Sequence, residues 1–169
     1  MLILPPQNPI GGARGYFDLL SSECSKYLEE IPLDFSGYDV LVDNYLSVSE
    51  NDSDANYELS KSFNAWFEYF AELSNLIQNK YLDSEADKLM VSATKSILAN
   101  DKNVSAGDRK ANTDVDVMFA RKKRNALKSL YDALVARQDF CEKAFYQCKH
   151  HCLNQFEQAS NNSPGKGLG

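Results

Sequence analysis

Apolar residues recur along most of this chain at intervals of three and four, and two stretches without glycine or proline carry that rhythm furthest. The first runs from about Asp54 to Ile97. Within it Leu59, Phe63, Trp66, Phe70, Leu73 and Ile77 alternate at spacings of four and three, the seam of a coiled coil or helical hairpin. Phe67 and Tyr69 widen the apolar face toward a second neighbour. Beyond Asp83 the stripe thins to Ala86, Leu89, Met90, Ala93 and Ile97, and a kink or short break is expected near Leu82, Asp83 and Ser84, since Asp and Ser favour caps over helix interiors. The second stretch runs from Thr113 or Asp114, its N-cap, to about Gln158. Its stripe is Ala120, Leu127, Leu130, Leu134, Cys141, Phe145, Cys148, Cys152 and Phe156, interrupted by Arg137.

Shorter elements surround these two. Residues 1–15 hold Pro5, Pro6, Pro9, Gly11, Gly12 and Gly15 and read as an irregular lead. Tyr16, Leu19, Leu20, Cys24, Tyr27 and Leu28 fall at helical spacing, which predicts a short helix from Tyr16 to about Glu30, stopped by Pro32. Between Leu33 and Ser49, Val40, Leu41 and Val42 lend strand propensity, but a second short helix is the favoured reading. Ser49 to Asp54 is a polar break, with Ser53 or Asp54 as the N-cap of the first long helix. Asn100 to Asn112 reads as a loop or hinge, and Ser160 to Gly169 as a disordered tail. The expectation is an all-α chain with three parts. Residues 1–53 form an N-terminal segment with short helices, 54–158 a long antiparallel hairpin or coiled coil, and 159–169 the tail. Each long helix would reach about 60 Å at 1.5 Å per residue. Neither seam is broad enough to bury itself at full length in a monomer, so a homo-oligomer is expected.

Composition places the chain among ordinary globular domains: 169 residues, 43% hydrophobic and 25% charged. No apolar run approaches the roughly 18 residues of a membrane span. The opening Met-Leu-Ile-Leu-Pro-Pro lacks the layout of a signal peptide, so a cytoplasmic address is the expectation. Charge is unevenly spread. Residues 1–100 carry −10 and residues 101–169 carry +4, which together give the chain its −6.

The positive charge is concentrated. Arg109, Lys110, Arg121, Lys122, Lys123, Arg124 and Lys128 span the polar linker and the opening turns of the second long helix. Two uses suit such a strip. It can pair with the acidic first helix as a solvated face, or it can neutralise successive phosphates of a nucleic acid and release their counterions. Phe119 and Tyr131 lie close enough in sequence to stack on exposed bases. Catalysis has no comparable pattern: the chain has no glycine-rich phosphate loop, no His-Glu-x-x-His and no nucleophile elbow, so no enzyme and no cofactor are expected. Cys148, His151 and Cys152 share one helix face, yet a structural zinc site normally draws a second ligand pair from elsewhere. These cysteines read as packed thiols, and no metal is expected.

From about Trp66 to Cys148 the layout resembles the UvsY-like recombination mediators of phages. The resemblance is carried by the charged linker Asp101-Lys-Asn-Val-Ser-Ala-Gly-Asp and by the run Lys128-Ser-Leu-Tyr-Asp-Ala-Leu-Val-Ala-Arg-Gln-Asp-Phe. It implies a non-enzymatic, ring-forming oligomer that binds single-stranded DNA and helps a RecA-like recombinase displace a single-strand-binding protein. On that reading the cations from Arg109 to Lys128 contact phosphates, and Leu127, Leu130 and Leu134 belong to the hairpin or oligomer core. The segment before Asp54 has no counterpart in the resemblance. An alternative, from the charge split itself, is a helical protein-interaction module, a phage-type inhibitor or coiled-coil scaffold whose acidic half docks on a basic partner.

Overall fold

A computed structural model describes the backbone of residues 12–28, 33–99 and 103–161, and the side chains among these from residue 18 to 155. Among the described residues every regular element is a helix: α1 (Gly12–Ser25), α2 (Ser36–Ser47), α3 (Ser53–Leu98), α4 (Val104–Ala111) and α5 (Val115–Asn161). The all-α expectation holds, and α3 packs against α5 within each of the two units described below.

Local chemistry sets the helix ends, and several differ from those expected. α1 starts at Gly12, inside the stretch read as irregular. It ends at Ser25, ahead of the expected Glu30, and the chain then turns through Tyr27 and Leu28, whose N–H groups donate to Cys24 and Ser25 carbonyls. Pro32 lies outside the described residues, as does most of the segment read as a disordered tail. α2 forms where helix was favoured over strand. The cap of α3 is Asp52, one residue before the expected pair: its carboxylate accepts the Ala55 N–H at 3.0 Å. Buried Asn56 secures the same turn, its amide donating to the carbonyls of Ser49 at 2.9 Å and Asp52 at 2.7 Å. No break follows at Asp83. The helix runs through, and Ser84 is buried with its hydroxyl donating to the Tyr81 carbonyl at 2.7 Å.

The linker also differs from expectation. Residues 104–111 form a helix instead of a loop because Asn103 caps it, accepting the Ala106 N–H at 2.9 Å. Gly107 and Ala111 are buried. Asp114, expected at the N-cap of α5, accepts the Asp116 N–H at 2.9 Å.

The chain divides into two compact units, one of Met1–Leu33 with Glu72–Val135 and the other of Asp34–Ala71 with Ala136–Gly169. In the second unit the core is aromatic. Phe63 and Phe70 are fully buried. Tyr38 meets Phe70 edge-on at 5.0 Å, Tyr45 meets Phe63 at 5.2 Å, and Phe63 meets Phe140 at 6.0 Å. The expected partners of Phe63 and Phe70 were Leu127, Leu130 and Leu134 or another copy; the rings they touch are instead those of α2 and of the 136–161 part of α5. Trp66, expected in the core, is half-buried against Tyr38 and Phe70, each at 5.4 Å. Antiparallel pairing here brings the Cys152 thiol to the Ser53 carbonyl at 3.4 Å.

In the first unit the core is aliphatic: Leu20, Cys24, Leu28, Leu73, Ile77, Val117, Leu127, Leu130 and Leu134 are buried. Val117 was absent from the expected stripe. A larger correction concerns α3 beyond Asp83. Leu89, Met90, Ala93 and Ile97 do not continue the seam but are exposed, together with Ala86. The packed face passes instead through Ser84, Lys88, Val91 and Lys95. Those positions continue the three-four spacing from Leu73 and Ile77, and an unbroken helix cannot change phase to suit its later apolar residues.

Candidate nucleic-acid interface

All seven basic residues singled out in the sequence fall in the first unit, and they divide by what they touch. Arg124 Nε donates to Glu85, with the guanidinium 5.5 Å over the Tyr81 ring. Lys123 pairs with Asp87 at 3.5 Å, and Lys128 with Asp132 one helical turn on at 2.6 Å. These three serve as the solvated face paired with carboxylates, two of them on acidic α3. The antiparallel order recurs at Lys95, which bonds Asp116 at 2.6 Å and Asp114 at 3.1 Å. The Glu85 carboxyl is held below its ordinary range by hydrogen bonds from Lys88 and Arg124, and that of Asp114 by Lys95 and the Asp116 N–H.

The remaining four are differently placed. Arg109 and Lys110 are exposed on α4. Arg121 bonds the neutral side-chain oxygen of Asn112, and Lys122 is exposed. Neither Arg109 nor Lys122 has an ion-pair partner among the described residues.

Arg121 and Lys122 also line an open groove of about 570 Å³ between α1 and the start of α5. Its apolar wall is Leu19, Leu20, Tyr27, Met118 and Ala126, and its other charged groups are Lys26 and Glu23. Phe119 stands 59% exposed beside it, its ring meeting Tyr27 edge-on at 6.3 Å. The Tyr27 hydroxyl is buried and has no hydrogen-bond partner among the described residues. Three cations against one carboxylate, over an apolar wall bordered by aromatic rings, suit a ligand with negative charge and flat apolar faces.

The sequence did not point to α1 as part of this face. Lys26 and Glu23 look like ordinary polar positions of an amphipathic helix, and only the docking of α1 beside Met118 and Arg121 gives them a neighbour. Tyr131, considered beside Phe119 for stacking, is half-buried.

The thiol face is packed. Cys141, Cys148 and Cys152 are buried, and Cys141 is hydrogen-bonded to the Tyr38 hydroxyl. His150 is hydrogen-bonded to Asn154 at 3.0 Å. Among the described residues no group of three His, Cys, Asp or Glu is placed to hold a metal ion. No described helix is long and apolar enough to cross a membrane. No family model, curated protein or solved structure matches the chain.

Proposed function

We propose that this chain is a non-enzymatic single-stranded DNA-binding protein that assists a RecA-like recombinase against a single-strand-binding protein. Its place of action is then the cytoplasm, that of the host if a phage encodes it. The DNA-binding part rests on one observation: Arg121, Lys122 and Lys26 surround an open groove with an apolar wall and an exposed Phe119 at its edge. Cations beside unstacked rings are what single strands use, phosphates meeting the charges and bases the rings. The recombinase part rests on the resemblance of residues 66–148 to the UvsY-like mediators.

The phosphate contacts under this reading are narrower than the full strip. Arg109, Arg121, Lys122 and Lys26 are the available cations, whereas Lys123, Arg124 and Lys128 have carboxylate partners that a phosphate would have to displace. Titrating labelled single-stranded DNA at two salt concentrations tests it. Each neutralised phosphate contributes about 0.7 to the salt slope, so three or four contacts give a slope of about −2 to −3. Stimulation of strand exchange by a recombinase in the presence of a single-strand-binding protein tests the mediator role.

The protein-interaction module is the second reading. The Lys123–Asp87 and Arg124–Glu85 pairs favour it, because they neutralise the middle of the strip. Absence of salt-dependent DNA binding at low ionic strength would leave that reading in place and remove the first.

A further inference from the structure

Between Leu82 and Ile97, α3 carries a second apolar line on the side away from its packed face. At about 100° per residue, Leu82, Ala86, Leu89, Ala93 and Ile97 fall within a sector of about 80°, nearly opposite Ser84, Lys88, Val91 and Lys95. All five are exposed, the three large ones by 53%, 58% and 78%. Met90 flanks the line and is exposed as well. Scattered surface leucines need no explanation, but an ordered line at helix-pairing intervals of four, three, four and four does. It spans about 22 Å of helix.

The order of residue sizes in the line says what fits it. Large, small, large, small, large reads the same from either end, with Leu89 at the centre. A two-fold contact requires this, because each residue i that meets j must also be met by j. Turned end for end about Leu89, a second α3 brings Ala86 opposite Ala93 and Leu82 opposite Ile97, so the backbones can approach where both copies are small.

Helix dipoles select the same orientation, since antiparallel dipoles attract. The flanking carboxylates Asp87 and Glu85 do not choose between orientations, because Lys123 and Arg124 of the same chain already pair with them.

We infer that the Leu82–Ile97 face of α3 is a self-association surface, on which a second copy of this chain packs its own α3 antiparallel about a two-fold axis near Leu89. The surface shares no residue with the cationic groove, so its failure would leave the DNA-binding reading untouched.

Sedimentation of the full chain, with and without L89E, tests the surface. At tens of micromolar the parent is expected at the mass of two chains or a multiple of two, and L89E at half the parent mass with unchanged helical circular dichroism. Orientation is read by mild oxidation of L82C and I97C, with the parent as control for its own buried thiols. The mixture of the two variants is expected to cross-link, and L82C alone is not. A one-chain parent, an L89E variant that keeps the parent mass, or cross-linking by L82C alone would overturn the proposal.

Discussion

A Cβ built on Gly107 would lie 2.8 Å from the carbonyl oxygen of Ser96, closer than a real Cβ approaches a backbone atom. The Ser96 hydroxyl meanwhile donates to the Asp108 carboxylate at 2.7 Å, fixing α4 against the last turns of α3. Neither backbone can yield cheaply, so G107A is expected to destabilise the protein by about 1–3 kcal/mol, the usual range for overpacking, although alanine is the better helix former. Urea denaturation followed by circular dichroism measures this. A stabilised G107A would show that α4 does not sit on Ser96.

The split within the basic strip yields opposite outcomes for neighbouring substitutions. The triple variant R109A/R121A/K122A is expected to reduce the salt slope of single-stranded DNA binding by about 2 and leave the melting temperature near the parent's. The double reversal K123E/R124E is expected to lower the melting temperature, because it places glutamates against Asp87 and Glu85 in contacts that now attract. Loss of binding with intact stability in the double reversal would assign the DNA contact to the paired cations instead.

Burial ranks the aromatic residues of the second unit. Phe70 is fully buried and Trp66 only half-buried, although both sit in one cluster. F70A is expected to cost about 3–5 kcal/mol, and W66A less, about 2–3 kcal/mol, since Trp66 already keeps part of its surface in water. Chemical denaturation of the two variants gives the order directly. A costlier W66A would mean that Trp66 is covered by another chain in solution.

Burial also pushes the Cys24 and Cys148 thiols up to about 11, and the Cys141 thiol to about 12. The folded chain therefore holds these protons more tightly than the unfolded chain, whose thiols titrate from the ordinary value of 9.0. Their contribution to stability is fully present below pH 9 and is lost as pH rises through about 11 to 12. The urea midpoint in reducing buffer is expected to hold up to pH 9 and then decline. Replacing Cys24, Cys141 and Cys148 by alanine should lower the midpoint at neutral pH but flatten that alkaline decline.

The residue order by itself determined the helical class, the first seam as far as Ile77, most of the second and the start of α5, whereas α5 runs on to Asn161, past the expected Gln158. Phe63, Phe70, Leu73 and Ile77 repeat at the helical interval, as do Leu127, Leu134, Cys141 and Cys148, and burying such lines requires no knowledge of the partner beyond its being apolar. Asp114 was legible as a cap because a cap bonds within its own turn. What lay beyond reach depended on contacts between elements. Seven cations in a row look equivalent along the chain, and only the alignment of α5 against α3 gives Arg124 to Glu85 and Lys123 to Asp87 while leaving Lys122 facing water. Gly107 reads as a loop glycine until α4 is seen to lie against Ser96. The line from Leu82 to Ile97 reads as more seam until the phase set by Leu73 and Ile77 turns it outward. Periodicity states which residues share a face; which face meets protein and which meets solvent is decided by rigid helices docking in one register, where burial of one line excludes the other.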